Sequence, residues 1–183
     1  MPELLHGPGP IYALDGVTPK VAPNAFIAPT AAVIGDVEIG AETGIWFQCL
    51  VRGDLCHIRI GARTNIQDGA IIHVDSGGLA AIIGDDVTVG HNAVIHACTL
   101  KNRAFVGISA TVLDGAVIEE GGMLGAGGLL APGKVIRRNE LWVGVPAKLF
   151  RVMEEDERRK FDRNAEVYRT LAARFRTGLQ STT

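Results

Sequence analysis

Three histidines, His73, His91 and His96, are the residues of this sequence whose type and spacing could do chemistry together. Three imidazoles around one ion, with a fourth position left for water, form the open arrangement of catalytic Zn2+, which brings a bound water's pKa to about 7 and makes hydroxide available at neutral pH. That is hydration or hydrolysis chemistry. Arg52, Gln67 and Asp68 are polar residues that the same spacing could set alongside such a centre. His91 and His96, however, are separated by about 16 Å of chain if it is extended. Whether they meet depends on the elements that carry them.

Those elements are written with a period of six. Aliphatic residues stand at 27, 33, 39, 45 and 51, at 60, 66 and 72, at 83, 89 and 95, and at 100, 106, 112, 118, 124, 130 and 136, and the series ends on Trp142. A small residue often follows, as at Gly40, Gly61, Gly84, Gly90, Gly107 and Gly125. Six fits neither a helix at 3.6 nor a sustained strand at 2. It fits a short strand and a turn, repeated, with one apolar residue per repeat pointing into a shared interior. The 23 glycines then supply turn conformations that other residues resist. Hydrophobic residues reach 47% while aromatics are only 5%, so that interior is built from Val, Ile, Leu and Ala.

The [LIV]-[GA]-x-x-x-x pattern resembles the hexapeptide repeat of left-handed parallel β-helices. The resemblance implies an all-β fold of triangular coils, three hexads to a coil, with six or seven coils between Val21 and Trp142. Residues 11–148 are expected to form this β-helix. Residues 1–10, with their Pro and Gly, are expected to be a loose extension. In 149–177, Phe161, Ala165, Tyr168, Ala172 and Phe175 make one helical stripe, so a C-terminal α-helix should pack along the β-helix with no chemical role, leaving 178–183 as a tail.

Departures from six set the register. The step from Val51 to Ile60 is nine, from Ile72 to Ile83 eleven, and from Ile95 to Leu100 five. If the extra residues leave as loops, Val51, Ile72 and Ile95 share one face, A, and Arg52, His73 and His96 form an outward column with a spacing of about 4.8 Å. On face C, Ile66 and Val89 are equivalent, which sets Asp68 beside His91, near a corner. His91 and His96 thus occupy different faces and cannot converge within one subunit. They converge if face A of one subunit meets face C of the next, head to tail, a contact that closes into a ring; for a triangular prism the ring is a homotrimer with three interfacial sites.

Val51-Arg52-Gly53-Asp54, Asn65-Ile66-Gln67-Asp68, His73 and His91-x-x-x-x-His96 together resemble the signature of the γ-class carbonic anhydrase family, over about residues 11–175. The resemblance implies reversible hydration of CO2 to bicarbonate by metal-bound hydroxide, with His73 and His96 of one subunit and His91 of the next as ligands to Zn2+, or alternatively Fe2+ or Co2+. It implies that Gln67 orients the hydroxide and that Arg52 pairs with acids at the subunit interface, Asp54 and Asp68 being its candidate partners, with Asn65 in the same motif. The sequence departs from the archaeal pattern where two Glu are expected: Leu55 and Ser76 stand there, and the loop from Asp75 to Leu79 is short. Turnover should suffer, with Asp75 as a substitute proton carrier. The alternatives are a hexapeptide acyltransferase, which shares the Gly144-x-Pro146-Ala147-Lys148 ending, a thioesterase-like hydrolase, or a weakly catalytic metal-binding assembly protein.

Composition excludes other classes. Eighteen Lys plus Arg against 20 Asp plus Glu give a net charge of −2 with no basic block, so nucleic acid is not expected as a partner. The N-terminus lacks the cationic and apolar regions of a signal peptide, and no apolar run approaches the 18 or so residues of a membrane span. Cys49, Cys56 and Cys98 fall in no C-x-x-C, so free thiols and a cytoplasmic location are expected.

Overall fold

The computed structural model describes residues 9–180. Most of the extension read as loose, including His6, lies outside them, as do residues 181–183 of the tail. The chain winds a left-handed parallel β-solenoid of about seven turns, followed by one helix. The first coil is Ile11–Tyr12, Lys20–Val21 and Phe26–Ile27; the last is Leu129–Leu130, Val135–Ile136 and Glu140–Gly144. The solenoid starts at Ile11, where the expected β-helix of residues 11–148 begins, two strands ahead of Ile27, the first residue of the hexad series. Ile11 pairs with Val33 and Val21 with Ile39, although the two are ten residues apart and out of period. Gly9 and Pro10 are tied down as well: Gly9 N–H donates to Ile27 and Pro10 C=O accepts from Val33, both at 3.0 Å.

Every aliphatic residue of the series from Ile27 to Ile136 is buried. At about 1.5–3 kcal/mol for each such side chain, this repeated burial is the main force that closes the coils. Faces A and B form one 12-stranded sheet, because Ala32–Ile39 and Leu50–Ile60 run unbroken around the corner between them; face C is a separate eight-stranded sheet. At that corner Gly35 has φ +77°, and a Cβ on Gly53 would stand 2.6 Å from Asp36 O.

The small residue after each aliphatic has a different cause from the one the sequence suggests. Gly40, Gly61, Gly84 and Gly107 do not have positive φ. A Cβ on Gly40 would lie 2.6 Å from the carbonyl carbon of Gly61, and one on Gly61 2.6 Å from that of Gly84. These glycines allow successive coils to stack. The left-handed corner positions are held largely by other residues, such as Arg63 (φ 54°), Asp86 (φ 56°) and Arg103 (φ 61°). Each donates its N–H to the preceding coil, to Ala41, Ala62 and Asp85 respectively, at 2.8–3.0 Å, and these bonds offset the strain of the conformation.

The helix spans Glu155–Gly178, whereas the sequence pattern sets it at 149–177. The difference arises because Ala147–Val152 turns back and pairs antiparallel with Glu140–Gly144 before the helix can start. The helix contacts face C. Ala165 and Ala172 are buried there, Phe161 packs on Phe105, and Phe175 meets Phe26, Phe47 and Trp46 edge-on at centroid distances of 5.3–6.1 Å.

Candidate metal centre

On face A, Val51 pairs with Ile72 and Ile72 with Ile95, so Arg52, His73 and His96 stand in one column across three coils. On face C, Ile66 pairs with Val89, and Asp68 and His91 follow at the turn. His91 is half-exposed at this corner, where strand alternation has lapsed; the next residue, Asn92, has φ 56°.

Within the column the imidazoles turn toward each other. His73 Nδ1 lies 3.3 Å from His96 Nε2, and the opposite nitrogen of each ring is held by a carboxylate: His73 Nε2 by Asp54 at 2.9 Å and His96 Nδ1 by Asp114. These acceptors place the ring protons on the outer nitrogens and leave the two inner ones as lone-pair donors. Two nitrogens bound tetrahedrally at about 2.0–2.1 Å to Zn2+ are separated by roughly 3.3–3.4 Å. The pair therefore fits a divalent metal.

Around the pair, Arg52 donates to Asp54. Partial desolvation pushes the Asp54 carboxyl up, but hydrogen bonds from His73, the main chain and Arg52 outweigh it and hold Asp54 below the usual carboxylate range. Asp68, the other candidate partner of Arg52, instead meets His91 Nδ1 at 3.0 Å. Gln67 is buried, and its amide nitrogen donates to Asn65 Oδ1 at 3.1 Å, while Asn65 donates to Thr88 Oγ1 at 3.0 Å. The thiol of Cys49 donates to the main-chain oxygen of Gln67 at 3.1 Å; burial pushes this thiol up to about 12, so it remains neutral. Asp75 accepts from Gly77 N–H at 2.7 Å and so braces its own short loop.

Two residues of the neighbourhood escaped the sequence reading. Asp114 holds His96, and Tyr168 of the terminal helix brings its hydroxyl 3.3 Å from His91 Nε2. The helix is therefore not remote from the candidate chemistry, as its stripe alone implied. It also walls a recess of about 320 Å3 beside His91, lined by Gln67, Phe105, Ile108, Met123 and Tyr168. Among the described residues, no group of three or more His, Cys, Asp or Glu side chains gathers around one point within a single chain. His91 stands on a different sheet from His73 and His96.

This solenoid and its repeats define a hexapeptide-repeat protein of the left-handed β-helix class. A hexapeptide transferase family protein from Anaplasma phagocytophilum has the same fold, with a TM-score of 0.86 and 45% identity, covering 89% of this chain and 96% of that one. Within the class, the chain belongs to the γ-class carbonic anhydrase family. It is 44% identical over 158 residues to a carbonic anhydrase of Geobacillus kaustophilus, covering 86% of each, and 43% identical over 159 residues to the mitochondrial γ carbonic anhydrase 1 of Arabidopsis thaliana. The match takes in 84% of this chain but 58% of the plant protein, so the chain spans under three-fifths of that relative's length. No family model matches the chain.

Proposed function

We propose that this protein is a cytoplasmic carbonic anhydrase that interconverts CO2 and bicarbonate at metal centres shared between the subunits of a homotrimer. The observation that carries this reading is the facing pair His73 Nδ1 and His96 Nε2, 3.3 Å apart, with each ring's other nitrogen held by an aspartate. His91 of the next subunit would complete the ligand set. Zn2+, or alternatively Fe2+ or Co2+, held there supplies a Lewis acid that makes hydroxide available near neutral pH.

The chain's own residues then have separable tasks. Gln67, fixed through Asn65 and Thr88, lines the recess and would orient the hydroxide. Phe105, Ile108 and Met123 give that recess apolar walls, which suit a small neutral substrate. Arg52 and Asp54 hold the His73 ring in place. With Leu55 and Ser76 where carboxylates are expected and Asp75 engaged by Gly77, the proton leaves to solvent or buffer, and turnover is low in dilute buffer. The trimer is supported by face A, where Ile71 is 41% exposed next to the histidine column. The name of the Anaplasma protein raises group transfer as a second reading, but a facing pair of imidazole nitrogens, each ring braced by a carboxylate, suits an ion better than it suits a single general base.

Metal analysis of the purified protein, combined with stopped-flow CO2 hydration, separates these readings. We expect about one metal per subunit, and we expect hydration to rise with added imidazole buffer at constant pH. Co-folded His91→Ala and His96→Ala chains should regain metal through intact interfaces in mixed trimers. A mixture that binds no more metal than either variant alone would eliminate the shared site, and a metal-free wild type with acyltransferase activity would replace the reading.

A further inference from the structure

Asp114 lies outside the signature residues of the family, yet its carboxylate contacts His96 Nδ1. It sits in the turn after Thr111–Val112, one coil below His96. That turn is complete without its side chain. Ala116 N–H donates to Leu113 at 3.0 Å, Gly115 N–H to Ala97 at 2.8 Å, and Gly133 N–H to the Asp114 main-chain oxygen at 2.9 Å, while Gly115 takes the left-handed position at φ 66°. Among the described residues no Lys or Arg pairs with Asp114, and His96 is its one ion-pair partner. Its charge is therefore not needed for the turn or for a surface salt bridge.

A parallel exists on face C. Asp68 also precedes a glycine of positive φ, Gly69 at 74°, and it also meets a histidine through Nδ1, His91 at 3.0 Å. Two Asp-Gly corners on two different sheets thus brace two imidazoles through Nδ1, leaving Nε2 to face the Tyr168 hydroxyl in His91 and His73 Nδ1 in His96. Asp54 braces His73 through Nε2, which frees Nδ1 to face His96. Each of the three histidines has its own carboxylate.

We infer that Asp114 is a positioning residue of the metal centre: it fixes the His96 tautomer and ring angle so that Nε2 is presented, unprotonated, toward His73 and the ion. This rests on the metal reading above. Loss of such an outer partner typically weakens metal binding 10–100-fold.

The test is titration of the metal-free, full-length protein with Co2+, read by its visible ligand-field bands, alongside thermal melting of the metal-free form. Asp114→Ala should weaken Co2+ binding about 10–100-fold and alter the bands, leaving the metal-free melting temperature and oligomeric state unchanged. Asp114→Asn, which keeps an acceptor oxygen but loses the charge, should fall between Ala and wild type. Tight Co2+ binding with unchanged bands in Asp114→Ala would overturn this inference alone, as would a loss of affinity matched by an equal loss of metal-free stability in both variants. If Asp114→Ala does not fold, wild-type affinity in Asp114→Asn overturns it. A wild type that takes up neither Co2+ nor Zn2+ removes the metal reading and this inference with it.

Discussion

On the same three coils, faces A and B carry opposite residues at the same step of the repeat. After the buried aliphatic, face A has Arg52, His73 and His96, and face B has Gly61, Gly84 and Lys101. Both faces belong to one sheet with one kind of interior. The difference lies in how the chain leaves the strand. On face B it turns at once and tightly, and a Cβ on Gly61 would meet the backbone of Gly84 at 2.6 Å. On face A the strands Ile71–His73 and Val94–His96 extend one residue past the aliphatic, where Thr111–Val112 and Leu129–Leu130 stop at it. The candidate chemistry therefore occupies the column where the six-residue rhythm is broken by the steps of nine, eleven and five. Regular hexads build the scaffold, and the candidate side chains stand where the chain leaves the strand out of rhythm.

The largest test of this contrast is a matched pair of charges. Ile71 on face A and Val135 on face B are 41% and 40% exposed. Ile71→Lys should convert the proposed trimer to monomers in sedimentation and abolish metal uptake, while Val135→Lys should leave both unchanged; equal behaviour would remove the distinction between the faces. The next effect is on stability. Gly61→Ala must displace the Gly84 backbone, and we expect it to cost about 1–3 kcal/mol. His73→Ala in the roomy column should change metal-free stability by no more than about 1 kcal/mol. Thermal or urea unfolding of the two variants checks the order.

The smallest effect is the acid limb. The Asp54 carboxyl is held below its ordinary value by His73 and Arg52 against desolvation, and Glu38 on face B is lowered by Lys20 and Arg59. A carboxylate lowered in the folded state adds stability above its unfolded pKa, near 4, and that stability is lost as pH falls through the folded value. Melting temperature should therefore drop below about pH 4, less steeply in Asp54→Asn. Glu38→Gln should alter the slope least, since its exposed pairs are screened by salt. A steeper acid limb in Asp54→Asn than in wild type would reverse the assignment.

The hexad count was enough to read the register of Arg52, His73, His96, Asp68 and His91, because each inserted loop leaves the ladder in phase. It could not reveal Asp114, which meets His96 along a diagonal: Ile95 pairs with Val112, His96 is one residue past that pair and Asp114 two. The two Asp-Gly corners were the available signal. Nothing local pointed to Tyr168, whose partner is 77 residues away on another element. The glycines were read as turn formers because sequence shows residue type but not the distance between coils, and the hexad count alone does not place Ile11 and Val21 in the first coil because they are out of period.

The reversed strand Ala147–Val152 bears on how the protein avoids becoming a fibre. A parallel solenoid is in principle endless, since its last rung exposes the same unpaired main-chain groups that received the rung before it, and another molecule could continue the stack. Here the final rung of face C is covered by a strand running the other way, with its register shifted between Leu141 and Trp142 and with Lys148 and Arg151 along it. An antiparallel ladder spaces its hydrogen bonds differently from a parallel one, so an incoming first coil meets a mismatched edge. On faces A and B the last strands are only two residues long. Direction and shortness together disfavour end-to-end stacking of one molecule on the next.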